Sequence, residues 1–353
     1  MKLTWNLGGL AAVAVIGVAV LVALPMVADL FVLMQLTLYL AFGILALSLG
    51  FVWGYGGIFS FGQATFFGLG GYTYAVVAFN MGDSTVPLIA AVAVPTAFAF
   101  LLGYFMFYGR ISTVYLAIIT LTVSLIFYKF MGHTAGYQYT IGSAHLGGFN
   151  GMPSIPPINL PGYPQRMAYP EDMFVITGAA LLLIYFGLRA LLASRFGRVV
   201  VAIRENESRA EMLGYDTRLY KMVTFGIGGG IAGVSGIMFA NWNAYISPTV
   251  FELAFSAQIL IWVVVGGLGT LIGPVLGAIA LGYISIELGA RSIADVNLDV
   301  NLVLGAILLI FVLAVPQGLQ PTARFLAQRY LPWALPRQDE GTAARARESA
   351  ADD

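Results

Sequence analysis

The chain has 353 residues, 17 Lys and Arg against 17 Asp and Glu, and only 10% charged residues beside 59% hydrophobic ones. An ordinary soluble domain is about a quarter charged, so a water-facing fold of this size is excluded, and the apolar excess excludes disorder. Zero net charge, with no long basic stretch among the apolar segments, argues against a nucleic-acid binder, and the absence of cysteine removes disulfides, thiolate metal sites, iron–sulfur clusters and cysteine nucleophiles.

A bilayer crossing takes about 20 mostly apolar helical residues, because lipid offers no partner to an unpaired backbone group. Such runs recur at Leu7 to Val27, Leu30 to Phe51, Ile58 to Phe79, Val86 to Phe107, Val114 to Met131, Phe174 to Leu192, Met222 to Trp242, Ala254 to Leu268, Ile272 to Leu288 and Leu302 to Val315. The first follows Lys2 and is long for the apolar core of a signal peptide. Pro25 and Asp29 lead straight into the second run, so the first reads as a retained span.

The fold expected is all-α: a polytopic membrane protein of about ten transmembrane helices over residues 1–318, some of them glycine-rich and broken. Short cytoplasmic loops carry the excess of Lys and Arg. The loop 193–221 holds Arg195, Arg198, Arg204, Arg209, Arg218 and Lys221, whereas the longer loop 132–173 holds only Arg166. The first is therefore cytoplasmic and the second external, and counting outward places both termini inside. Of 17 basic residues, only Lys129, Arg166 and Arg291 then fall outside or at outer helix ends. The two histidines, His133 and His145, lie in the external loop and read as loop residues rather than metal ligands. The tail 319–353 alternates Arg, Glu and Asp with small residues and reads as a solvated, poorly ordered cytoplasmic end.

Glycine occurs 42 times and clusters inside the apolar runs. In lipid, small residues let helices approach closely, and glycine-interrupted segments let a helix break where it lines a cavity. Gly62 falls in one cluster, Gly54 to Tyr72, and Gly266, Gly267, Gly269 and Gly273 in another, Gly266 to Gly277. A shift of 211 residues superposes Gly62, Gly71 and Tyr72 on Gly273, Gly282 and Tyr283, but the span order makes the two segments parallel, which an inverted repeat forbids. Gly228 to Gly233 satisfies the dinucleotide-binding glycine pattern, yet no strand precedes it; Gly229 and Gly233 read as helix-packing positions.

No Lys is followed by Ser or Thr, so the chain lacks the phosphate-binding loop of an ATPase. Asp29, Asp83, Glu252 and Glu287 all fall at span ends, which disfavours coupling to an ion gradient. What is left is passive flow or energy delivered by another protein. Arg204 to Gly214 reads as a short helix, with Ser208 and Glu211 at capping-box spacing and Gly214 placed to end it. Ile203, Met212 and Leu213 add apolar contacts beside charged neighbours, a composition suited either to docking in a partner's groove or to a solvated connection. Polar groups in the broken span, Ser60, Gln63, Thr65 and Tyr72, are candidates for a solute path or for interhelical hydrogen bonds. So are Asn241, Asn243 and Gln258 nearer the outer side.

Taken together, Gly54 to Tyr72, Gly197 to Tyr215 with Lys221, Phe225 to Gly236, Leu146 to Pro156 and Gly266 to Ala278 resemble the permease subunits of branched-chain amino acid ABC importers, the LivM type. The resemblance runs in order from Leu36 to Leu319. It implies a bacterial inner-membrane importer working by alternating access, built from a second permease subunit, two cytoplasmic ATPases that carry ATP and magnesium, and a periplasmic solute-binding protein. No cofactor belongs to this chain itself. The same resemblance implies a coupling helix comprising Ile203, Arg204, Glu205, Glu207, Arg209, Glu211, Met212, Leu213 and Gly214. Leu146 stands where the family often has Thr, and Leu125 to Tyr128 hold no acidic residue where many members have one. Urea or a short-chain amide, whose permeases look similar, therefore stays open as the solute beside a branched-chain amino acid. A passive channel for a small uncharged solute needs no docking helix and is the alternative from another class.

Overall fold

A computed structural model describes residues 7–160, 163–290 and 305–306. Its helices are α1 (Leu7–Val27), α2 (Leu30–Gly54), α3 (Gln63–Met81), α4 (Thr85–Tyr108), α5 (Thr113–Gly132), α6 (Pro170–Ala193), α7 (Arg195–Glu205), α8 (Glu207–Met212), α9 (Thr217–Asn243), α10 (Leu253–Gly266) and α11 (Ile272–Ala290). All the expected apolar runs but the last coincide with one of these helices. Leu302 to Val315, save residues 305–306, and the tail 319–353 lie outside the described residues.

Among the described residues, five helices, α2, α4, α5, α6 and α9, are long and apolar enough to cross a membrane. Shorter apolar stretches fill Ala11–Val27 of α1, α10 and Ile272–Ile286 of α11. With 14 residues, α10 spans about 21 Å, less than the roughly 30 Å hydrocarbon core. A 3₁₀ turn at Pro248–Phe251 precedes it, separated from it by the extended Glu252.

Two expected boundaries move. The run expected as a span from Ile58 becomes helical only at Gln63, because α2 closes on Gly57 (φ 68°), whose amide and that of Ile58 fold back onto the carbonyls of Trp53 and Val52. The loop 193–221 is itself mostly helical, holding α7, α8 and the first turn of α9.

The centre of the bundle is α9, packed by α2, α3 and α4; α2 also meets α6 and α11, and α10 packs on α11. Glycine makes these approaches possible. A Cβ added at Gly70 of α3 would stand 2.4 Å from the carbonyl oxygen of Gly233, and one at Gly233 2.5 Å from the Pro95 ring of α4. Gly229 faces Ala99 in the same way, at 2.5 Å. The Gly228-to-Gly233 pattern is therefore a packing surface inside α9, which follows α8 rather than a β-strand.

The two ends of the bundle differ. At one end the loop after α5 forms short antiparallel pairs, β1 (Thr140–Ile141) with β2 (Ala144–His145) and β4 (Asn159–Leu160) with β5 (Tyr163–Met167), and its β3 (Met152–Pro153) pairs with β6 (Tyr245–Ile246) just after α9. The loop is tied to the helices by Ile155 N–H donating to Ala244 O at 3.0 Å, Tyr74 OH to Pro156 O at 3.1 Å and Ser84 N–H to Asn159 Oδ1 at 2.9 Å. The opposite end carries α7 and α8. Because α3 and α9 finish at the loop end and α4 starts there, successive long helices alternate in direction.

Candidate functional site

The elbow opposite the loop is built from α7 and α8. Ser194 opens α7 by accepting the Gly197 amide on its Oγ, and Val199, Val200 and Ile203 bury one face of that helix. Asn206 then swings to φ −159°, breaking the helix, and its Oδ1 accepts the Arg209 amide at 2.9 Å to start α8. The cap is thus Asn206 rather than the expected Ser208: the chain turns at the residue whose side chain reaches three positions ahead. Gly214 closes α8 at φ 87°, a left-handed conformation in open space.

A small cluster of Val199, Ile203 and Ala210, with Tyr220, fastens this elbow to α9. Phe196 stacks on Tyr220 at 5.3 Å, Thr217 Oγ1 donates to Glu211 Oε1 at 3.0 Å, and Lys221 pairs with Glu207. Ile203 is consequently buried, whereas Glu205 and Arg209 are exposed and Met212 and Leu213 stand 82% and 72% exposed. An anchored elbow presents two adjacent apolar side chains to whatever lies beyond it. Beside them opens a cleft lined by Glu211, Tyr215, Asp216, Thr217 and Arg218. Arg204, expected among the coupling residues, is exposed too but folds its guanidinium back onto the bundle, donating to the carbonyl of Gly54 at the end of α2 instead of pointing outward with Met212 and Leu213.

The polar residues of the broken segment gather inside the bundle. Ser60, Gln63 and Thr65 are buried. Ser60 Oγ accepts the Gly62 amide at 2.9 Å, and the Phe61 amide donates to Thr120 Oγ1 of α5 at 3.1 Å. Thr65 and Ser124 share a hydroxyl contact of 2.6 Å. A hydroxyl row thereby joins the start of α3 to α5, and Thr120 and Ser124 are members that sequence reasoning missed. Their spacing of four on one helix puts them on one face, which was the available signal. The amide of Gln63 and the hydroxyl of Tyr72 have no hydrogen-bond partner among the described residues. Tyr72 stacks on Phe251 at 5.8 Å. Asn241 is buried at the loop end and donates to Ile237 O at 2.9 Å, Asn243 is exposed, and Gln258 is half-buried on α10. These three therefore do not join the row around Ser60.

The second glycine cluster forms the turn between α10 and α11. Gly267 and Gly269 hold φ of 113° and 83°, and Gly266 and Gly273 pack backbone to backbone, a Cβ at Gly266 falling 2.1 Å from Gly273 O. Gly62, the residue before α3, sits against Thr120 at a distance of 3.3 Å for an added Cβ. His145 stacks on Tyr137 at 5.4 Å, and no group of three or more metal-binding side chains occurs among the described residues.

A family model described as the permease component of branched-chain amino acid transport systems matches residues 31–313. The chain belongs to that permease family. It is 32% identical over 311 residues to the high-affinity branched-chain amino acid transport system permease protein LivM of Escherichia coli K12, covering 82% of this chain and 69% of the relative. A probable LivM permease of Methanocaldococcus jannaschii is 26% identical over 69% of this chain and 77% of its own length. LivH of Escherichia coli K12 matches a shorter part, 29% identical over 42% of this chain and 46% of the relative. No solved structure matches. This family member is a multi-pass membrane protein and a transport subunit.

Proposed function

We propose that this chain is the transmembrane subunit of an ABC importer that carries branched-chain amino acids inward across the bacterial inner membrane by alternating access. The observation that carries the reading is the elbow: Met212 and Leu213 are exposed on a helix otherwise fastened to the bundle, at the end opposite the strand-bearing loop. Apolar side chains held out on an anchored turn suit a groove on another protein. That end also holds Arg195, Arg198, Arg204, Arg209, Arg218 and Lys221, which supports placing it in the cytoplasm, beside ATPases that bind ATP and magnesium. The loop 132–173 then faces the periplasm and a solute-binding protein. Similarity to both LivM and LivH supports pairing with a homologous, non-identical second permease.

In this mechanism ATP-driven closure of the ATPases moves the elbows, and the permease pair re-gates the path between its halves. A tagged chain expressed with its neighbouring genes should co-purify two ATPase subunits. Leu213→Asp should abolish that capture while leaving the thermal unfolding midpoint unchanged, because Leu213 buries little surface in the free chain. Capture unaffected by Leu213→Asp contradicts the elbow as the docking point.

A further inference from the structure

Arg204 is an exposed residue whose side chain folds back onto the bundle. Its guanidinium donates to Gly54 O, a Cβ at Gly57 would meet its side chain at 3.1 Å, and one at Gly269 would stand 3.8 Å from its Nη1. The ends of α2 and α10 abut there, a Cβ at Gly54 falling 3.0 Å from Gly269 N. Both helices finish with carbonyls that lack helical partners and carry partial negative charge. A planar guanidinium with five N–H groups suits that junction, and Arg204 has no ion-pair partner among the described residues. The side chain therefore links the last turn of α7 to the Gly54–Gly57 turn by one hydrogen bond and by packing of its stem against Gly57, and its guanidinium lies beside Gly269.

The first of those turns leads into the break before α3, which carries three aromatic rings in series. Trp53 lies 4.7 Å from Phe59, and Phe59 5.4 Å from Phe61. All three are half-buried while Ile58, Ser60 and Gly62 between and beside them are buried, so the rings line a surface that the chain's own helices leave partly uncovered. The far side of the break is held by Thr120, through the Phe61 amide. The break is thus fixed at one side to α5 and at the other to the elbow through Arg204.

We propose that Arg204 is a positioning residue that transmits movement of α7 and α8 to a cytoplasmic gate formed by Trp53, Phe59 and Phe61. The proposal rests on the importer reading above. When ATPases shift the elbow, Arg204 draws the Gly54–Gly57 turn with it and rotates the aromatic series relative to Thr120. Left-handed Gly57 and Gly269 act as the hinges, since each holds a φ that other residues resist. An Arg that only capped α2 would change stability and leave nucleotide-dependent gating untouched.

The chain has no cysteine, so Phe61→Cys provides a single reporter thiol, read on this chain by mass spectrometry after exposure to a membrane-impermeant maleimide. The full complex is compared without nucleotide and after trapping with ATP and vanadate. We expect labelling rates to differ by about tenfold or more between the two states, and this difference to collapse in the Arg204→Ala background while ATPases still co-purify and hydrolyse ATP; about tenfold is the lower end of what one hydrogen bond to a charged group is worth. Arg204→Lys, which keeps the charge and a donor, should restore part of the difference, and it serves as the test if Arg204→Ala does not assemble. An unchanged difference in either variant overturns the proposal, as does a Phe61→Cys complex that hydrolyses ATP without any change in labelling. Failure of the unaltered chain to bind ATPases at all overturns the importer reading itself.

Discussion

Gly236 offers a direct test of how closely α3 and α9 approach. A Cβ there would stand 1.9 Å from the carbonyl oxygen of Phe67 and 2.9 Å from the Gly71 amide nitrogen. Both are backbone atoms, so no side chain can rotate away, and restoring ordinary contact requires the helices to part by about 1.5 Å in a core packed at crystal density. Parting them also opens the neighbouring contact between Gly70 and Gly233. Gly236→Ala should therefore destabilise the protein by about 1–3 kcal/mol or more, the cost of forced overpacking. Gly187→Ala is the matched control: it lies in the interior of α6 and a Cβ there meets nothing within 4 Å. Helix propensity favours alanine at such a site by about 1 kcal/mol or less. Thermal unfolding of the two variants in detergent should move in opposite directions, Gly236→Ala down by several degrees and Gly187→Ala level or up. Equal or higher stability for Gly236→Ala would refute the close α3–α9 packing.

Other consequences follow from single contacts. Asn206→Ala removes the cap of α8 and should cost about 1 kcal/mol of local helix stability, seen as weaker retention of ATPases during purification with the unfolding midpoint of the bundle unchanged. Lys221→Met breaks the pair with Glu207, whose side chains are 23% and 45% exposed. Such pairs contribute about 0–1 kcal/mol, so neither stability nor ATPase capture should change appreciably. Thr65→Val leaves Ser124 with Thr120 O as its remaining partner, and should lower stability by about 1 kcal/mol in thermal unfolding, the usual net worth of one hydrogen bond.

Positions of the helices could be read from the sequence because lipid forces each apolar run to satisfy its own backbone, a rule blind to tertiary detail. The same rule says nothing about where a run is interrupted. Ile58 to Gly62 look as apolar and glycine-rich as their flanks, and only the turn at Gly57 and the bonds from Phe61 and Gly62 to hydroxyls keep them out of α3. Gly214 could be read as a terminator since its role is local. Ser208 was the wrong cap because the helical break falls at Asn206, a choice made by burying Ile203 and Ala210 together under Tyr220. The bond that folds Arg204 back onto α2 was illegible for a similar reason: its partner, Gly54 O, lies 150 residues away in the chain and is a backbone atom with no residue signature.

The central claim, that this permease moves solute only when ATPases drive its elbow, is tested most directly by reconstituting the complex with its binding protein in vesicles and following radiolabelled leucine. The account predicts accumulation that requires ATP on the elbow side and disappears with Leu213→Asp. Uptake that proceeds without nucleotide, or through vesicles containing this subunit alone, would contradict it.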